Sequence, residues 1–355
     1  MLASSTHDSK RSEDVRARIN VLSEIPGLWR LNLRRWRDWN RSKKRTVDGR
    51  PAPTRNDEYL LYQTLIGTWP TEALNDSGWR AFSERIESYM LKSARESKER
   101  TSWANQNSEY EGALQHFVRS ALQRRAKNRF LADFFQFQQR ITRIGMFNSL
   151  SQCLLKMTSP GVPDIYQGNE LWQFSLVDPD NRQPIDYRHR QELLKSLSLN
   201  VQRHKDVGKH LGSLLANMDG GLVKLYLTQT TLALRRKEAL VFQQGHYIPL
   251  QAHGQRSEHI LAFARKLEGR SVIIAVPRLC ATLLGDNFDT PCEESLWGDT
   301  TLEIPHSARA CYHQVFTGEC IPVNRGEQGE FLPAAKLFRD FPVALLVSEP
   351  LGTHA

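Results

Sequence analysis

The stretch THDSKRSED (6–14) sets a histidine beside a carboxylate, His7 and Asp8, and runs at once into Lys10, Arg11, Glu13 and Asp14. Such a triplet opening a dense charge run reads as part of an active site. A catalytic carboxylate works with partners, as in acid/base pairs. Only seven residues precede Asp8, so its partners lie downstream or outside this sequence. By type, the downstream candidates are Asp164, Glu170, Asp178 and Asp180, and Asp164 and Glu170 are spaced to flank one strand end. A second notable stretch is WRLNLRRWRDWNRSKKR (29–45), where arginines alternate with Trp29, Trp36 and Trp39. Basic residues interleaved with aromatics can hold single-stranded nucleic acid. The i, i+4, i+7 spacing of Trp29, Leu33 and Trp36 instead favours an amphipathic helix, with Leu28, Trp29, Leu33 and Trp36 inward and the arginines solvated.

The elements that must position these residues are mostly helical at first. Residues 12–39 read as helix broken near Ile25-Pro26-Gly27, 48–57 as a Pro-rich loop, and 58–69 and about 78–100 as further helices. A long helical stretch runs from about 109 to 157, where Phe130, Phe134, Phe137, Ile141, Ile144 and Phe147 form one apolar stripe. VPDIYQG (162–168) has strand length and a Gly stop, 171–187 is rich in turn residues, and 188–204 reads as helix. Beyond about residue 239 the texture becomes short β-rich runs separated by Gly, Pro and Asp/Asn, the pattern of a small antiparallel sandwich.

Composition narrows the class. The 355 residues favour two domains, and 40% hydrophobic with 25% charged residues fits a water-soluble globular chain. No apolar run nears the roughly 18 residues of a membrane span, and no secretory leader is visible, which predicts a cytoplasmic protein without membrane contact. Residues 1–150 carry 27 Lys and Arg against 17 Asp and Glu, so the whole excess of the net +9 charge sits there. The five cysteines are scattered without a CxxC pair, which predicts free thiols and no metal site.

Four ordered motifs supply a sharper reading. THDSKRSEDVRAR (6–18), EYLLYQTL (58–65), PGVPDIYQGNE (160–170) and LVDPDNRQPID (176–186) resemble those of the maltooligosyltrehalose synthases, the (1→4)-α-D-glucan 1-α-D-glucosylmutases of the α-amylase superfamily (glycoside hydrolase family 13). Ser9 and Gln183 are mild departures, standing where the family usually has Thr and Arg. The resemblance implies the C-terminal part of a (β/α)₈ barrel with a large helical insertion (1–238), with THD ending the seventh strand and VPDIYQG forming the eighth. A β-sandwich domain (239–355) follows. It implies intramolecular transglucosylation at the reducing end of a maltooligosaccharide, turning an α-1,4 bond into an α,α-1,1 bond, with no cofactor.

In that family Asp8 matches the carboxylate that stabilises the oxocarbenium-like transition state, and His7 a ligand of sugar hydroxyls. Lys10 and Arg11 would line the site beyond the cleaved bond, unless they only open a helix; Asp178, Asn181 and Arg182 would shape the pocket mouth; Tyr166 would face the sugar or pack in the core. Trp172 is either a glucose-stacking ring or ordinary packing. The family's nucleophile and acid/base belong to strands four and five, which have no counterpart in this sequence. The expectation is a piece of an enzyme, inactive alone, with a missing N-terminal barrel half as partner if the gene is split. Exposed edges of the two strands and an uncovered stripe at 130–147 would then invite aggregation. Another α-1,4-glucan hydrolase or transferase, or a non-catalytic glucan-binding module, are the alternatives; nucleic-acid binding is not expected.

Overall fold

The computed structural model describes residues 1–203, 207–306, 309–327 and 329–348, without the side chains of 198–210. Strand β1 (Leu2–Ala3) leads into helices α1 (Glu13–Glu24) and α2 (Pro26–Asn40), then strands β2 (Arg45–Val47) and β3 (Arg50–Ala52). Helices α3 (Arg55–Thr68), α4 (Asp76–Ser97), α5 (Ser108–Ala121) and α6 (Arg129–Thr158) follow. Strand β4 (Pro163–Asp164) precedes helices α7 (Tyr187–Arg203), α8 (Val207–Ala216), α9 (Leu222–Lys237) and α10 (Ala239–Gln244). The rest is mainly strand: β5 (His246–Leu250), β6 (Ala252–His253), β7 (Ile260–Leu267), β8 (Arg270–Pro277) and β9 (Thr301–Ile304). It ends with β10 (Cys311–Gln314), β11 (Cys320–Pro322), β12 (Asn324–Gly326), β13 (Gly329–Pro333) and β14 (Ala344–Val347).

Two compact units share the chain. One takes residues 7–145 and 174–182, the other 1–6, 146–173 and 183–355. Compactness and composition thus divide the molecule differently, since the change from helix to sheet falls at Gly245.

The first unit is helical. Thr54, Asn75 and Asn107 cap α3, α4 and α5 by accepting from the amides of Asp57 (3.1 Å), Gly78 (2.8 Å) and Tyr110 (3.0 Å). Pro26 starts α2, where a missing N–H costs nothing, and so separates it from α1. Trp36 is fully buried among Tyr62, Phe130, Phe134 and Phe137, with ring centroids 5.1–5.8 Å apart. The indole of Trp36 donates to Asp133 Oδ2 at 2.6 Å. The Phe130 and Phe134 end of the apolar stripe is therefore covered by the chain's own helices, which corrects the expectation of an uncovered stripe. Arg30, Arg34, Arg35 and Arg37 are exposed, as the amphipathic reading requires. Leu28 departs from it at 39% exposed, because the buried face of α2 runs through Trp29, Asn32, Trp36 and Asn40. The long helical stretch is two helices, interrupted at 122–128. Within the loop expected at 48–57 lies half of a β2–β3 hairpin, turned by Asp48 and Gly49, both at positive φ (49° and 71°).

In the second unit β1 and β4 pair in parallel, Leu2 with Pro163 and Ala3 with Asp164. Both are two residues long: β1 ends before THD (6–8), and β4 is shorter than the strand expected at 162–168. Strands β5 to β14 form two antiparallel sheets, ordered β11-β10-β14-β8-β7-β5 and β12-β13-β9-β6. Strand β14 is buried at all four positions, whereas β9, β10 and β13 alternate buried and half-buried positions, as antiparallel strands with one core-facing side do. Cys311 and Cys320 are disulfide-bonded, with Cα atoms 5.8 Å apart, which corrects the expectation of five free thiols. Hairpin pairing of β10 with β11 brings them together, a register that cysteine spacing alone does not reveal. Among the described residues no helix is long and apolar enough to cross a membrane.

Candidate functional site

Within the helical unit, two separate segments meet to form the site. Residues 7–12 lead into α1, and residues 174–182 run beside them. Ser12 N–H donates to Ser175 O at 3.0 Å, and Arg11 bridges Leu176 in antiparallel fashion. The second segment folds on its own carboxylate: Asp180 Oδ2 accepts from Leu176 N–H at 2.7 Å. Arg85 on α4 grips the same carboxylate at 2.9 and 3.1 Å and also donates to Phe174 O. Two turns later on the same helix face, Lys92 donates to Asp178 O. A charged donor on a carboxylate or carbonyl makes a stronger bond than a neutral pair, so α4 holds this loop at several points.

The loop in turn holds the histidine–aspartate pair. Asn181 is buried and donates from Nδ2 to His7 O at 2.7 Å. That bond fixes the backbone of His7 while its imidazole stays outside. His7 Nε2 lies 3.2 Å from Asp8 Oδ2, and the two side chains are 56% and 83% exposed. An exposed carboxylate oriented by an imidazole can accept hydroxyl hydrogens or face a developing cation.

Beneath them Arg18 of α1 is buried. Its Nη1 donates to Trp69 O at 2.6 Å and Gly67 O at 3.3 Å, and its guanidinium lies 3.6 Å from the Phe174 ring centroid. Stacking an arginine on an aromatic face is favourable when the pair is shielded from water. Two glycines make room for α1. A methyl group at Gly145 would meet Arg18 Cγ at 2.6 Å and Cα at 2.9 Å, and one at Gly67 would meet Val15 Cγ1 at 2.6 Å.

No protein-family model matches the chain. It is 31% identical over 349 residues to a Mycobacterium tuberculosis (strain H37Rv) protein that carries the provisional name maltooligosyl trehalose synthase, covering 98% of this chain and 38% of that one. The solved maltooligosyltrehalose synthase of Arthrobacter ramosus superposes with a TM-score of 0.73 at 32% identity, over 98% of this chain and 38% of the other. Another solved maltooligosyl trehalose synthase gives 0.70 at 31%, over 98% and 39%. The chain matches the C-terminal part of the maltooligosyltrehalose synthases. It spans about 38% of the length of the curated relatives.

Of the eight residues to which the resemblance to maltooligosyltrehalose synthases points, seven lie in the helical unit. His7, Asp8 and Asn181 come together directly. Asp178 Oδ1 accepts from Arg182 Nε at 2.8 Å, a partly exposed pair on the same loop. Arg11 reaches Thr64 Oγ1 at 3.3 Å, and Lys10 lies 3.5 Å from Glu96. Tyr166 belongs to the other unit, where its carbonyl accepts from Asn169 N–H at 3.0 Å. Asp164 and Glu170 are also in that unit, and Glu170 is 3.2 Å from Arg190 Nε. Trp172 has its indole N–H on Met218 O at 2.6 Å and Lys224 Nζ 5.6 Å from its ring, which accords with packing. Sequence reasoning missed Arg18, Arg85 and Lys92. The i, i+7 spacing of Arg85 and Lys92 places them on one helix face, but basic residues so spaced are common on any solvated helix.

Proposed function

We propose that this chain supplies the C-terminal part of a maltooligosyltrehalose synthase, with Asp8 as the carboxylate that stabilises the oxocarbenium-like transition state. The reaction is a retaining transfer within one substrate: the terminal glucose of a maltooligosaccharide leaves its α-1,4 link and is rejoined through an α,α-1,1 link. Such a transfer uses two further carboxyl groups roughly 5–5.5 Å apart, a nucleophile and a general acid/base. Those two belong to a longer polypeptide or a partner carrying the other barrel strands, and the 355-residue chain has no turnover by itself. Parallel pairing of β1 with β4 supports reading them as the seventh and eighth strands of that barrel.

The observation that carries the proposal is the exposed His7–Asp8 pair held at its backbone by buried Asn181. The Asp8 carboxylate is exposed to meet sugar, and the bond to the His7 carbonyl holds the backbone beside it. His7 donates to a substrate hydroxyl, the Asp178–Arg182 pair borders the pocket mouth, and Lys10 and Arg11 line the side beyond the cleaved bond. Tyr166 keeps its proposed sugar contact on the motif match alone. The test is to supply maltopentaose to the 355-residue chain, alone and joined to the upstream barrel strands of a relative. The account expects maltooligosyl trehalose only from the joined form. Turnover by the chain alone would assign the chemistry to its own carboxylates, such as Asp164 and Glu170.

A further inference from the structure

Among the described residues, one group of three side chains has metal-ligand chemistry: Cys311, His313 and Cys320, whose ligand atoms all lie within 4.8 Å of one another. The β10–β11 hairpin explains the grouping. Cys311 and His313 are two apart on β10 and so share a face, while Tyr312 and Gln314 between and beyond them are buried. His313 pairs directly with Cys320 across the ladder, and Cys311 pairs with Pro322, one diagonal step away. On β11 the outward positions are Cys320 and Pro322, with Ile321 turned to the core. All three ligand-type side chains therefore stand on the outer face of a strand pair at the sheet edge. Cys320 is exposed, and the other two are half-buried.

We propose that this hairpin is a thiol-gated binding site for a soft divalent cation of the zinc type, open when the cysteines are reduced and closed when they are paired. Two thiolates and one neutral imidazole are a donor set that suits tetrahedral zinc, whose bonds are about 2.3 Å to sulfur and 2.0–2.1 Å to nitrogen. Tetrahedral geometry on those bonds needs ligand atoms roughly 3.4–3.8 Å apart, so the two sulfurs, once unbonded, move apart while His313 stays within reach of both. The fourth position falls to water on the exposed side. In the paired state each sulfur is committed to the other, and His313 alone cannot hold the ion. Opening consumes two equivalents of an external thiol: the Cys311–Cys320 bond breaks, two protein thiols form, and the external thiols leave as their disulfide. Binding then releases one proton from each cysteine as its sulfur bonds the metal.

The experiment uses the full 355-residue chain and zinc ion alone, titrated against a chromophoric chelator. It is run on protein reduced with a phosphine and on protein oxidised with glutathione disulfide. The remaining cysteines do not confuse it: Cys153 and Cys280 are buried, and Cys292→Ser serves as the control for the third. The expected result is one more zinc per reduced chain than per oxidised chain. His313→Ala should weaken that zinc at least tenfold, and Cys320→Ser should abolish it. Cobalt in place of zinc should give the intense visible bands of a tetrahedral thiolate site in the reduced chain only. Equal zinc binding in both redox states would overturn the proposal, as would zinc binding indifferent to His313→Ala and Cys320→Ser; the pair would then be a structural disulfide. The wild-type comparison needs no variant, so a poorly folding mutant leaves it decisive.

Discussion

Residues 7–8 and residues 174–182 belong to one unit and touch one another, yet they are built in opposite ways. The first segment, to which we assign the chemistry, has its side chains exposed, with the Asp8 carboxylate 83% exposed. The second turns Asp180 onto Arg85 and Leu176, Asn181 onto His7 and the ring of Phe174 against Arg18, and leaves the Asp178–Arg182 pair partly exposed. The contrast teaches that the groups offered to a ligand and the groups that fix their position are different residues. Substitutions should separate function from stability along that line.

The largest stability effect is expected from Arg18→Met. It strips two backbone carbonyls of a buried charged donor and removes the stack on Phe174. Each of the two buried carbonyls left without its donor costs about 1–3 kcal/mol, and the lost stack adds to that. The check is a urea unfolding midpoint, and a change below 1 kcal/mol would mean that the support is not where we place it. Gly145→Ala comes next, at about 1–3 kcal/mol, because its methyl group meets Arg18 backbone and cannot be accommodated by a side-chain shift alone. Gly27→Ala, with open space around it, is the control and should be near neutral. Asn181→Ala should cost about 1 kcal/mol and speed amide exchange in residues 6–12, since it frees the His7 carbonyl.

A smaller, pH-dependent effect tests electrostatics away from the site. Burial lowers the Lys43 ammonium to about 8 from its ordinary 10.5. The folded state thus holds this proton less tightly than the unfolded chain, which binds more protons between about pH 8 and 10.5. Stability rises with pH across that window, by linkage. Relative to Lys43→Met, the wild type should gain stability as pH goes from 8 to 10; a flat difference would mean that the ammonium is fully solvated.

Much of the helical unit was legible in sequence because its signals are local. Pro26 marks the break between α1 and α2, and the Phe130–Phe147 spacing marks the buried face of α6. The Pro-rich composition of 48–57, with Pro51 and Pro53, reads as loop and conceals the short hairpin turned at Asp48–Gly49. The motifs identified the exposed pair His7–Asp8. They could not reveal what holds it, because Arg85 meets Asp180 across 95 residues and Arg18 meets Trp69 across 51. The Cys311–Cys320 pairing is local but just as hidden, because it depends on a hairpin register and not on a cysteine motif.

The central claim is that Asp8 does chemistry while Asn181 and Arg18 do support. Asp8→Asn tests it in the chain joined to the upstream barrel strands, with turnover of maltopentaose and the urea midpoint measured on the same preparation. Asparagine keeps the shape but removes the negative charge facing the cation-like transition state. The account predicts turnover lower by a factor of about 10³ or more with a midpoint shifted by less than about 0.5 kcal/mol, as expected for an exposed side chain. Wild-type turnover by Asp8→Asn would contradict it and reduce the pair to a surface turn.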